Sequence, residues 1–135
     1  MAAAMRSTTI RHAVGYAPLV STPLDPALTA AWVAPVRTDP DVRRDFRKLL
    51  DGIAATDLTE AATHLRHFGG PVLMAWAAED RYFALDLGRR LADCFTDAEV
   101  APIADCRTFV PLDQPEHLAE AITTLVAATS ARRSA

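Results

Sequence analysis

The sequence predicts an α/β chain: a short parallel two-strand βαβα unit preceded by a run of helices. Three observations predict it. Pro71-Val-Leu-Met-Ala-Trp-Ala77 carries no charge and is followed at once by Glu79 and Asp80, the pattern of a strand buried on both faces. Ala98-Glu-Val-Ala-Pro-Ile-Ala104 is a second run of strand length, and Leu85, Leu91, Ala92 and Phe95 lie between the two at helical spacing, over roughly 84–95. Upstream, Asp25-Pro26 and Thr38-Asp39-Pro40 each set an acidic N-cap before a proline at the first helical position.

In chain order, residues 1–24 show no periodicity and are expected to be extended or frayed, with prolines in Tyr16-Ala-Pro-Leu-Val-Ser-Thr-Pro-Leu24. A helix starts at Asp25-Pro26, turns Leu28 and Trp32 to one face, and is expected to stop at Pro35. The next helix starts at Asp39-Pro40. It carries Val42, Phe46, Leu49 and Leu50 on one face and Arg43, Arg44, Arg47 and Lys48 on a solvated face, with Gly52 as its stop. Asp57-Leu-Thr-Glu60 has capping-box spacing, and Ala61, Leu65 and Phe68 form the following stripe before Gly69-Gly70. Residues 25–69 therefore form a helical region, and residues 70–130 the βαβα part.

Within that part, Pro102 cannot donate to a ladder, so the second strand should be an edge or end there. Asp105 to Leu112 reads as a loop. Asp113-Gln-Pro-Glu116 then signals the last helix, with Asp113 as N-cap and Leu118, Ile122, Leu125 and Val126 as its buried stripe. The end, Ser130 to Ala135, reads as a polar tail (131–135 as a segment). Strand, helix, strand and helix at this pitch should cross over right-handed. Two strands alone do not make a stable sheet, so the sheet is expected to belong to a larger one.

Composition narrows the function. Half of the 135 residues are hydrophobic, 23% are charged and the net charge is −3, which disfavours nucleic acid and anionic membrane surfaces as partners. No run approaches the ~18 apolar residues of a membrane helix, and no apolar stretch marks a signal peptide. Cys94 and Cys106 make neither a disulfide framework nor a metal site, and a cytoplasmic setting is the expectation. No cofactor is expected. His64 and His67 share a helical face at i, i+3 but have no third ligand at a telling spacing; His12 lies in the chain's opening. Arg81 and Arg107 are candidate anion binders, with a surface role the plainer reading. Asp80 is the leading site candidate, because polar residues just past a strand's carboxyl end are where open α/β sheets place their chemistry. A loop carboxylate that turns the chain is the alternative.

Pro71 to Phe83, the helix with Arg89-Arg90-Leu91-Ala92, Ala98-Glu-Val100 with Ile103, and Phe109-Val-Pro-Leu-Asp-Gln-Pro-Glu-His-Leu-Ala119 together resemble the C-terminal end of α/β-hydrolase fold proteins. The resemblance covers about residues 70–128 and makes residues 25–69 similar to that family's helical cap. It implies a partial α/β-hydrolase fold: cap, last two strands and final helix, as in a C-terminal fragment or truncated member. It implies that Asp80 stands at the acid position of a Ser–acid–His triad, where the acid orients and stabilises the histidine. Thr108 stands where the histidine is expected, and a hydroxyl cannot relay a proton near neutral pH. No Gly-x-Ser-x-Gly nucleophile elbow occurs, and Ser7, Ser21 and Ser130 fall in no strand-to-helix turn. His117, early in the last helix, is the nearest substitute base in sequence.

The parent activity implied is hydrolysis of an ester, amide or related small substrate. The alternative is a non-catalytic, degenerate hydrolase-fold protein acting by binding or association. A small-molecule substrate is the partner if the parent is active, and a homo-oligomer through the exposed sheet edge is the other expected association.

Overall fold

A computed structural model describes residues 15–134. The expectations for residues 1–14, His12 and Ser7 among them, lie outside the described residues. A 3₁₀ turn, Ala17–Leu19, precedes three helices, α1 (Pro26–Thr38), α2 (Pro40–Gly52) and α3 (Ala55–Leu65). Then come β1 (Val72–Ala77), α4 (Leu85–Ala92), β2 (Ala98–Ile103), the one-turn α5 (Val110–Asp113) and the long α6 (Pro115–Arg133). The protein is mixed α/β, mostly helical, with a parallel two-strand sheet.

The sheet is in register from Val72 opposite Ala98 to Ala77 opposite Ile103. The Val72 N–H donates to the Asp97 carbonyl at 2.8 Å, and the Ala78 N–H donates to the Ile103 carbonyl at 2.9 Å. In a parallel ladder this fixes the rest: even-numbered residues of β1 and odd-numbered residues of β2 turn their amide groups toward each other. Pro102, opposite Trp76, therefore has its nitrogen on the outer edge and costs no ladder bond, so β2 runs through it as an edge strand.

Alternation along β1 sends neighbouring side chains to opposite faces. On one face Trp76 meets α4 at Gly88, where a Cβ would lie 2.7 Å from Trp76 Cδ2. On the other face Ala77 joins Ile103, Cys106 and Val110 in the buried core, with Ala75 and Leu118 of α6 packed against it.

The Asp-Pro starts form as expected. Asp25 accepts the Ala27 N–H at 2.7 Å, and Asp39 accepts those of Asp41 and Val42 at 2.8 and 3.3 Å. Four local expectations are corrected. Pro35 lies inside α1, because its carbonyl still takes the Asp39 N–H at 2.9 Å and Arg43 donates to the Val36 and Arg37 carbonyls at the helix end. α3 begins at Ala55, so Asp57 falls within its first turn and not ahead of it. Asp113 closes α5, and Gln114 precedes α6 as its N-cap residue, because the Asp113 carboxylate is taken by amides elsewhere. The end of the chain is helical through Arg133, with Arg132 donating to Asp97 at 2.6 Å.

Residues 15–24 are irregular but anchored. The Ser21 N–H donates to both Asp113 carboxylate oxygens at 2.9 Å, the Phe109 N–H to the Leu19 carbonyl at 3.0 Å, and Val20 is buried. The apolar stripes of the helical half do form, yet Phe46, Leu49, Leu50 and Phe68 are all exposed, and the stripe expected to be buried on α6 is exposed at Ile122 and Val126.

Candidate functional site

The site sits past the carboxyl ends of β1 and β2. Leaving β1, Asp80 folds the chain back toward α4, its Oδ1 accepting the Tyr82 N–H at 2.8 Å and the Phe83 N–H at 3.0 Å. An aspartate that accepts amides two and three residues on makes a tight turn. The same oxygen accepts a third hydrogen bond, from Thr108 Oγ1 at 3.0 Å. The structure thus brings the two sequence-predicted site residues together across 28 residues of chain. Beside Asp80, Glu79 Oε2 accepts the Cys106 N–H at 3.2 Å, so both carboxylates behind β1 hold the loop behind β2.

Asp80 and Thr108 line a cleft of about 220 Å³ with Trp76, Phe83 and Val110. Trp76 Nε1 donates to the Phe83 carbonyl at 2.7 Å, fixing the cleft's aromatic wall. The rest of the lining among the described residues is Ala75 and Ala77, so there the cleft presents one carboxylate and one hydroxyl. Such a pair can accept and donate hydrogen bonds to a small polar ligand.

The other candidates lie elsewhere. His117 Nδ1 is 2.9 Å from Gln114 Oε1, and the residue lines a groove with Pro102 and Glu120 on the outer side of β2, away from the cleft. His64 and His67 have ring centroids 6.3 Å apart on an exposed surface. Among the described residues no group of three or more His, Cys, Asp or Glu is placed to hold a metal ion. Arg81 is exposed. Arg107 is a clasp: its N–H donates to Asp113 Oδ2 at 3.0 Å and its Nη1 to the Val20 carbonyl at 3.2 Å.

Sequence reasoning missed the support beneath the pair. Asp113 gathers the amides of Ser21, Thr22 and Arg107, which pins the segment before α1 to the loop that carries Thr108. Cys106 is fully buried and its Sγ lies 3.1 Å from the Ile103 carbonyl. Burial pushes its thiol pKa up, and the negative charges of Glu79, Asp113 and Asp105 push it in the same direction. Asp105 holds φ 57°, the left-handed turn that aspartate tolerates better than most residues, and so swings the chain out of β2 toward Cys106.

Compared with known proteins, the chain matches no family model, no curated protein and no solved structure. Among the described residues no helix is long and apolar enough to cross a membrane.

Proposed function

We propose that the chain is an α/β-hydrolase-like protein, corresponding to the C-terminal, acid-bearing part of that fold. Asp80 takes the acid position and Thr108 the histidine position. The observation that carries this is the 3.0 Å hydrogen bond from Thr108 Oγ1 to Asp80 Oδ1, made between the loops behind two adjacent parallel strands. A triad acid binds its histidine by the same kind of contact, carboxylate to side-chain donor. The parent activity is hydrolysis of an ester, amide or related small substrate. This chain by itself does not perform it, since the elbow motif does not occur in its sequence and a hydroxyl replaces the imidazole.

A second reading, a non-catalytic protein that binds or associates, has its own support. With Thr108 donating to an oxygen that already takes two amides, Asp80 acts as a structural acceptor that locks one loop to the other.

Two measurements test the proposal. In Thr108→His the new imidazole should sit against Asp80 and titrate about one unit above the ordinary ~6.5, because a neighbouring carboxylate favours the charged ring. Adding Asp80→Asn should return it to that value. A ring that titrates normally in both backgrounds removes the acid–histidine geometry and with it the hydrolase reading. The unaltered chain should show no turnover of p-nitrophenyl acetate above buffer; turnover abolished by Asp80→Ala would overturn the non-hydrolytic part.

A further inference from the structure

Asp80 is a carboxylate that no cation among the described residues neutralises. The ion pairs there are those of Arg44 with Asp41 and Asp45 and of Arg132 with Asp97, so Arg81, next along the chain, leaves Asp80 unpaired. Glu79, on its other side, adds a second carboxylate. The hydrogen bonds to Asp80 are also one-sided. Oδ1 takes the Tyr82 and Phe83 amides and the Thr108 hydroxyl, whereas Oδ2 takes no hydrogen bond among the described residues. A carboxylate has about four acceptor sites over its two oxygens, so the capacity left over lies on Oδ2.

The other polar side chains along the cleft are committed in the same sense. Thr108 has one hydroxyl proton and gives it to Asp80, which leaves its oxygen with lone pairs only. Trp76 gives its indole N–H to the Phe83 carbonyl. As the hydrogen bonds stand, the described side chains lining the cleft offer oxygen acceptors and no free donor. The rest of their surface is the rings of Trp76 and Phe83 and small aliphatic groups. Backbone groups supply an N–H with every C=O and so do not set the sign of the charge.

We infer that this cleft binds a small organic cation, a primary ammonium on an apolar body. An ammonium carries three donors and no acceptor, the complement of the unengaged Asp80 oxygen and the Thr108 lone pairs. A charge-assisted N–H···O bond is about twice as strong as a neutral one, so the carboxylate favours an ammonium over a hydroxyl of the same shape. Aromatic rings attract cations, and the apolar body has Trp76 and Phe83 to lie against. An anionic ligand would meet Asp80 and Glu79 as like charges. The cleft stands past the carboxyl ends of two parallel strands, where open α/β sheets take their ligands. The inference rests on the second reading, that of a binding protein, with this cleft as its site, and adds the class of ligand.

Three probes of one shape and different charge test it: benzylammonium, benzyl alcohol and benzoate. Each is titrated into the full chain and followed by nuclear magnetic resonance at the Tyr82 and Phe83 amides and the Trp76 indole N–H, which report on Asp80 and the aromatic wall. Benzylammonium should shift all three signals saturably and bind about tenfold more tightly than benzyl alcohol, with benzoate weakest. Asp80→Asn keeps an acceptor for the turn amides and should bring ammonium and alcohol to within about twofold of each other, with the circular dichroism unchanged. Thr108→Val removes the second acceptor alone and should weaken benzylammonium while keeping its lead over the alcohol. Alcohol or benzoate bound as tightly as the ammonium overturns the inference and leaves the cleft standing as a binding site. Saturable shifts from none of the three overturn the inference and the binding reading of this cleft together. A preference for the ammonium that survives Asp80→Asn also overturns the inference, because the cation then sits away from Asp80.

Discussion

The helices before residue 70 and the unit after it both carry apolar faces, but they differ in how much of those faces is covered. Trp32 of α1 meets the Phe109 ring edge-on, with centroids 6.3 Å apart, but the hydrogen bonds and ion pairs of α1–α3 among the described residues are local. Asp25 and Asp39 cap their own helices, Arg44 pairs with Asp41 and Asp45, and Thr63 donates to the Glu60 carbonyl. Leu49 is 60% exposed and Leu58 69%. In the second half the ties run far along the chain, from Ser21 to Asp113, Thr96 to Phe68, Cys106 to Glu79 and Thr108 to Asp80. They surround a core of Ala77, Ile103, Cys106 and Val110. The difference teaches that capping and periodicity are enough to make a helix, whereas a site needs distant carboxylates and amides held in one place by burial.

The contrast predicts unequal sensitivity to mutation. The largest effect is expected at Asp113, where one carboxylate serves the amides of Ser21, Thr22 and Arg107. Asp113→Ala removes the hydrogen bonds of three amides to a charged acceptor, the Arg107 one part-buried, and should cost about 2–3 kcal/mol in urea unfolding. A cost under about 0.5 kcal/mol would show that the clasp contributes little, and the distinction between the halves would shrink with it.

Next comes Gly88→Ala. In an open helix this change is favourable by about 1 kcal/mol. Here the new methyl meets the Trp76 ring at 2.7 and 2.9 Å, and rigid ring atoms have no free end to swing away. Overpacking should win, leaving a net loss of about 1–2 kcal/mol and a lowered melting temperature. A gain in stability would mean that α4 can lift off the sheet, and that the βαβα unit is as loosely covered as the helices before it.

Legibility followed the same division. β1, β2 and the Asp-Pro helix starts were readable because a charge-free run and a cap followed by proline are signals contained in a few residues. Asp113 was misread for the same reason: with Glu116 three residues on, it copies a capping box, while its real partners include Ser21, 92 residues away. Pro35 reads as a stop in the sequence because a local rule cannot see Arg43 reaching back to the helix end. Asp80 and Thr108 are paired in the sequence only by resemblance to a family pattern, and no periodicity links positions so far apart; their contact is visible only in the fold. The exposed stripes of α2 and α3 mark the limit of pattern reading, since amphipathicity says which face wants cover and nothing about whether cover is there.

The smallest expected effect is therefore the most diagnostic for the helical half. Leu49 lies on the apolar face of α2 and is mostly in water already, so Leu49→Ala removes little buried surface. Alanine also favours the helix slightly. The expected change is within about 0.5 kcal/mol, the range of surface substitutions. A loss of about 2 kcal/mol or more would require the leucine to be buried in solution, since truncation costs that much only where surrounding atoms are left facing a cavity. Protein concentration then separates the sources of cover. A cost that fades on dilution points to another copy lying over α2, whereas one that persists at all concentrations points to α2 folding onto another part of the same chain.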